Sequence, residues 1–238
     1  MNTILFDLDG TLLPMNQEAF IDTFTKAVRG KFESLGYDAD EIMETMMLGI
    51  KMMIENDGFK TNKECIEELF KEVYGKKAGK ILREMIKFYK KEFDVAKLNT
   101  VPTPLAAECI SILKEKGYQV VLATTPLFPP EAVERRMEWA GIEKEDFVLI
   151  TTYDNCCYSK PNLQYYRRIL KTIDKTPEDC LMVGNDVSDD MCAAAVGIDV
   201  FLIKDCLLNY KELDYSDYKQ GSFESFMEYV KELPDLLA

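Results

Sequence analysis

The 238-residue sequence contains no histidine. That absence excludes a histidine-based catalytic triad, an H-E-x-x-H zinc site and a phosphohistidine carrier. Acid–base chemistry near neutral pH must therefore come from carboxylate, lysine, cysteine or tyrosine side chains. A basic surplus is also missing: 42 acidic residues face 29 Lys and Arg, a net charge of −13. Phosphate backbones and anionic bilayers are bound through basic patches, so neither a nucleic acid nor a membrane is expected as a partner. The first residues, Met-Asn-Thr-Ile-Leu-Phe, carry no basic leader and run straight into Asp7. No signal peptide or membrane span is expected. The seven cysteines are odd in number and include no C-x-x-C, and Cys156 and Cys157 are adjacent. This usage suits a reduced, cytoplasmic chain whose thiols mostly fill the core. No internal repeat, low-complexity tract or signal for oligomeric state is present.

Apolar residues make up 47% of the chain, enough for a substantial core. The most informative stretch is the start. Thr3 to Phe6 suits a buried parallel strand. Asp7-Leu8-Asp9-Gly10-Thr11 follows, so the strand must end in a tight turn. Residues two apart on a strand share a side, which lets Asp7 and Asp9 face one site at the strand's carboxyl end. Two carboxylates that close repel each other unless a cation joins them, and a hard oxygen-bound ion such as Mg²⁺ fits. Asp-Gly is also an ordinary turn pair, so the motif gains weight only from partners elsewhere.

Between about 16 and 97 no strand is expected. Helical runs cover 18–35, 39–56, 62–74 and 78–94, punctuated by Gly36, Asp57-Gly58 and Gly75. Met43, Met46, Met47, Met52 and Met53 crowd the second run. Such a stripe is adaptable core filling first and a pliable pocket wall second. Val101-Pro-Thr-Pro104 breaks the pattern. Strands at 119–123, 147–150, 179–183 and 199–203 then alternate with helices at 105–116, 131–140, 163–173, 191–196 and 223–233. That alternation predicts an α/β fold with a doubly wound, Rossmann-like parallel sheet. Segments 1–14 and 98–238 form this core, and 15–97 forms an inserted all-helical domain.

Each polar cluster falls at the carboxyl end of an expected strand. Asp7 and Asp9 end the first, and Thr124 and Thr125 end the second. Lys160-Pro161 follows the third, and Gly184-Asn185-Asp186-Val187-Ser188-Asp189-Asp190 follows the fourth. Parallel strands bring these ends to one edge. Alone, each cluster has a plainer reading: a solvated loop lysine, a threonine at a strand end, first-turn helix acids favoured by the dipole.

Taken in order, these four motifs resemble the haloacid dehalogenase-like hydrolase superfamily, in its phosphatase branch, and the helical insertion resembles that family's C1-type cap. The resemblance implies that Asp7 is the nucleophile and forms an aspartyl phosphate. It implies that Asp9 is the acid that protonates the leaving oxygen and then the base that activates water. Asp7, Asp186 and the Asp9 carbonyl would hold Mg²⁺, with Asp190 orienting the metal's waters. Asn185 is the alternative to Asp186 if the motif shifts by one residue. Thr124, Thr125 and Lys160 would bind the phosphoryl oxygens. The leading expectation is a Mg²⁺-dependent phosphatase acting on a small phosphorylated metabolite. A phosphotransferase of the sugar phosphomutase type ranks lower, since Pro14 to Glu18 offers no basic residue. A non-catalytic phosphate-binding module ranks lower still, because every motif residue is present. Phosphonate cleavage would need a Schiff-base lysine, and nothing around Lys51 marks it for that. The cap would choose the leaving group and close over it; Asn16 and Lys51 are candidate pocket residues.

Overall fold

Strand β1 (Thr3–Phe6) is buried along its whole length, as an uninterrupted apolar strand requires. In the computed structural model, which describes residues 1–237, β1 lies inside a six-stranded sheet. The others are β2 (Gln119–Leu122), β3 (Leu149–Ile150), β4 (Cys180–Gly184), β5 (Asp199–Ile203) and β6 (Lys219–Gly221). Their order is β3-β2-β1-β4-β5-β6, and every neighbouring pair is parallel.

The period of two along each strand divides the core. Ile4, Phe6, Val120, Leu122, Leu181 and Val183 enter one apolar cluster, while Leu5, Val121 and Met182 enter the other. Helices α5 (Leu105–Glu115), α6 (Pro130–Ala140) and α8 (Phe223–Glu232) bury side chains in the first. Helix α7 (Leu163–Ile173) packs Tyr165, Tyr166, Ile169 and Leu170 into the second. The expected α/β Rossmann-like sheet is what forms.

The stretch between β1 and α5 is helical: α1 (Gln17–Ser34), α2 (Ala39–Ile54), α3 (Asn62–Tyr74), α4 (Ala78–Lys91) and a 3₁₀ segment, Phe93–Asn99. Asn16, Asp38 and Thr61 cap the first three through their side chains, Thr61 in a capping box with Glu64. The chain leaves and re-enters the core at one point. There Met15 bridges Thr100, Asn16 N–H donates to the Asn99 carbonyl at 2.9 Å, and Val101 N–H donates to that of Pro14 at 2.7 Å. The insertion also packs on the core: Phe93 lies 5.0 Å from Trp139 of α6, and Phe24 lies 6.0 Å from Phe128. One apolar cluster thus runs from the sheet into the insertion.

The structure corrects one expected element, refines a second and adds a third. The third strand is shorter than 147–150, because Lys144–Asp146 turns in a 3₁₀ segment just before it. The short helix expected at 191–196 is present as a 3₁₀ helix, ended by Gly197 in the left-handed region. Strand β6 was not expected, since Lys-Gln-Gly has no apolar alternation; it joins through the backbone of β5. No helix among the described residues is long and apolar enough to cross a membrane.

Candidate active site

Strands β1 and β4 are neighbours whose connections depart in opposite directions, to β2 and to β5. This reversal opens a crevice beyond their carboxyl ends, where open α/β sheets bind ligands. Register fixes the first acid there: Phe6 pairs with Leu122 and Val183, and Asp7 N–H donates to the Val183 carbonyl at 2.9 Å. The turn after it needs glycine. Gly10 has φ +86°, and a Cβ there would stand 2.4 Å from Asn185 Nδ2. Thr11 closes this turn on the β4 loop, its hydroxyl donating to Asn185 Oδ1 at 2.9 Å.

Lys160 is the hub. Its side chain is 1% exposed, and Nζ donates to Asp7 Oδ1 at 2.8 Å and to Asp190 Oδ1 at 2.6 Å. Burial pulls the ammonium's pKa down, but Asp190 and Asp7 outweigh it, so the net shift is upward. Burial pushes the Asp190 carboxyl up, against the pull of Lys160. Two short bonds on one ammonium are the geometry of a charged lysine between carboxylates, and we read the group that way. Asp190 also holds the β4 turn, its Oδ2 accepting the Asp186 N–H at 2.9 Å.

The loop carrying Lys160 is fastened from both sides. Asn62, at the start of α3 and 0% exposed, donates to Ser159 Oγ at 3.0 Å and to the Pro126 carbonyl at 2.9 Å. Ser159 in turn donates to the Met53 carbonyl at 3.1 Å. From α7, Tyr165 donates to the Thr124 carbonyl at 2.9 Å and Tyr166 to that of Asp189 at 2.8 Å. The Thr124 hydroxyl and the Thr125 N–H make no hydrogen bond among the described residues, so both are free for a ligand.

Asp9 has a partner that sequence reasoning missed. Arg136, 1% exposed, forms an ion pair with Asp9 Oδ2 through Nη1. Its Nε donates to the Ala132 carbonyl at 3.1 Å, and its guanidinium carbon lies 4.4 Å from the Phe128 ring centroid. Asp9 Oδ1 and Arg136 Nη2 are buried with no partner. Burial raises the Asp9 pKa more than Arg136 lowers it. The available signal was helical register: Arg136 falls on the stripe Ala132, Val133, Met137 and Ala140 that α6 buries.

Asn185 and Asp186 are now distinguishable by their bonds. Asn185 spends its amide on the Cys206 carbonyl at 2.7 Å and its oxygen on Thr11. Asp186 Oδ1 accepts the Ser188 and Asp189 N–H groups at 2.7 and 2.9 Å, which leaves Oδ2 unused. Asp7 Oδ2 and the Asp9 carbonyl also accept nothing among the described residues. No cluster of three or more His, Cys, Asp or Glu side chains suited to a metal is found among those residues. The donors present are two carboxylates and a carbonyl. That set fits a hard cation which keeps several waters, as Mg²⁺ does.

A cavity of about 700 Å³ lies elsewhere: between α2, α3 and α4 of the insertion and the 127–131 and 153–154 loops. It touches none of Asp7, Asp9, Thr124 or Lys160, and meets them through Phe128, which lies over Arg136. Buried polar groups converge at the carboxylates and not in this cavity, which makes the carboxylate cluster the candidate site. Of the methionine stripe, Met46 and Met53 are buried and also line this cavity, whereas Met47 is 60% exposed. Lys51 is not brought to it; its side chain is 67% exposed beside Glu55. Asn16 caps α1, accepting the Ala19 N–H at 3.0 Å, and lines a separate hollow with Asn185 and Lys204. Cys156 and Cys157 are free thiols, and burial pushes that of Cys156 up to about 12.

A family model described as haloacid dehalogenase-like hydrolase matches residues 1–197. The pyrophosphatase PpaX of Bacillus cereus is 25% identical over 191 residues, covering 79% of this chain and 76% of the relative. That of Halalkalibacterium halodurans is 23% identical across 100% of this chain and 95% of its own length. Among solved structures, a HAD phosphatase from Thermococcus onnurineus superposes with a TM-score of 0.60 at 19% identity, covering 99% of this chain and 100% of that one. CbbY from Rhodobacter sphaeroides, in complex with phosphate, gives 0.58 at 22% identity, covering 94% and 95%. The chain belongs to the haloacid dehalogenase-like hydrolase family.

Proposed function

We propose that this hydrolase is a Mg²⁺-dependent phosphatase of small phosphorylated metabolites, working through an aspartyl phosphate on Asp7. The observation that carries the reading is the buried Lys160 ammonium joined to Asp7 and Asp190. A nucleophilic carboxylate must approach a phosphoryl group that is itself anionic, and a fixed positive charge beside it offsets that repulsion. The relatives named as pyrophosphatases and the phosphate-bound neighbour support phosphate chemistry.

An Asp7 oxygen attacks phosphorus, and the ester P–O bond breaks with its electron pair on the leaving oxygen. Asp9 gives that oxygen a proton. A water then attacks the phosphorus of the aspartyl phosphate, passing a proton to Asp9, and the bond to Asp7 breaks to release phosphate. Lys160, the Thr124 hydroxyl and the Thr125 N–H bind the transferring oxygens. Asp190 keeps Lys160 and the Asp186 turn in place. Asp7, Asp186 and the Asp9 carbonyl would hold the metal, which when bound neutralises charge on the phosphoryl group. Residues 15–97 act as the cap, and the apolar cavity it shares with the core takes the body of the leaving group.

The test is hydrolysis of p-nitrophenyl phosphate with and without Mg²⁺, beside Asp7→Asn. Turnover that needs Mg²⁺ and vanishes in the variant is expected. Metal-independent turnover, or an active variant, contradicts the proposal.

A further inference from the structure

Arg136 has no place in the reaction just described, yet a fully buried guanidinium is costly unless it is paired. Its bonds are unequal in a way that points to a task. Nε is tied to its own helix, the plane rests on Phe128, and Nη1 holds one oxygen of Asp9. The other Asp9 oxygen, Oδ1, is buried and has no partner. An unrestrained aspartate turns about two torsions, and either oxygen can present itself. With Oδ2 clamped to a rigid helix, only Oδ1 remains to meet the substrate.

We propose that Arg136 is the positioning residue for Asp9: by holding Oδ2 it fixes Oδ1 as the atom that exchanges a proton with the leaving-group oxygen. The proposal rests on the phosphatase reading above and adds a residue to it. Arg136 itself touches neither the phosphoryl group nor the nucleophile; it acts through the orientation of Asp9. A misplacement of about 1 Å at a reacting group costs on the order of 10²-fold, so losing the clamp is measurable.

Position can be separated from stability through the leaving group. A p-nitrophenolate departs with little protonation, whereas an alkoxide needs it. The experiment compares kcat/KM, which reports the chemistry through the first irreversible step, for p-nitrophenyl phosphate and glycerol 2-phosphate with Mg²⁺. In Arg136→Met, a loss of roughly 30- to 100-fold is expected on the glycerol ester and less than about fivefold on the nitrophenyl ester. Adding Arg136→Met to Asp9→Asn changes kcat/KM on either ester by less than about twofold, since the acid that the clamp orients is already gone. If Arg136→Met does not fold by circular dichroism, Arg136→Lys carries the same comparison, with a smaller loss of the same leaving-group bias. An equal loss on both esters, no loss, or an additive double variant overturns the role of Arg136. A wild-type enzyme that hydrolyses neither ester overturns the phosphatase reading and this proposal with it.

Discussion

Lys160 and Asp190 form a buried ion pair at 2.6 Å, each side chain only 1% exposed, and the same ammonium reaches Asp7. Removing one partner of such a pair leaves an uncompensated charge away from water. Lys160→Met should therefore destabilise the fold by about 3–5 kcal/mol and lower kcat by at least about 10²-fold. Urea unfolding and p-nitrophenyl phosphate turnover measure the two effects. A variant as stable and active as the parent would show that the lysine does neither job.

Gly184 sits where β4 passes under the site. A Cβ there would stand 2.1 Å from Asp190 Oδ2 and 2.6 Å from its Cβ, too close for a rotamer change to relieve. Gly184→Ala must displace Asp190 and, with it, Lys160. We expect a stability loss of about 1–3 kcal/mol and a fall in kcat of roughly 10-fold or more. Melting and steady-state kinetics decide; an unchanged kcat would mean that Asp190 does not position Lys160.

Burial, and then the neighbouring Asp186, raises the Asp189 carboxyl to about 6. An unfolded aspartate titrates near about 3.9, so the native state binds more protons between those values. Ionised Asp189 costs native stability above about pH 6, and the cost disappears as pH falls to about 4. Without divalent metal, Asp189→Asn should stabilise the protein by about 1–2 kcal/mol at pH 7.5, with the gain lost near pH 4. Urea titrations at both pH values test this, and a gain that grows on acidification would contradict it.

Ile50 and Phe128 face the apolar cavity from the insertion and from the core. Filling the space with Ile50→Trp should lower kcat/KM for 1-naphthyl phosphate by roughly tenfold and leave pyrophosphate within about twofold. Equal effects on both substrates would place the leaving group elsewhere.

The sheet was legible because β1, β2, β4 and β5 are short apolar runs bounded by turn residues, and their carboxyl ends carry the polar motifs. The inserted helices were legible through their caps, such as Thr61 with Glu64, and through glycine punctuation. Strand β6 was not, because an edge strand joined through its backbone needs no apolar pattern. At the candidate site, motif order pointed to Lys160 beside Asp7, but not to its bond with Asp190: sequence spacing says nothing of which oxygen an ammonium meets. Arg136 escaped for a different reason. Two arginines stand side by side in the sequence, and only the burial of one face of α6 separates the Arg135–Asp94 contact from the buried Arg136–Asp9 one. Asn62 and Ser159 lie nearly a hundred residues apart, and neither belongs to a motif, so their contact between insertion and core had no local signature.

The central claim is that phosphate passes through Asp7. Enzyme quenched during turnover of p-nitrophenyl phosphate with Mg²⁺ can be reduced with borohydride, which converts an aspartyl phosphate to homoserine, and then digested for peptide mass spectrometry. The account predicts homoserine at position 7, and none in Asp7→Asn treated alike. Homoserine at another aspartate, or full turnover by the Asp7→Asn variant, would contradict it.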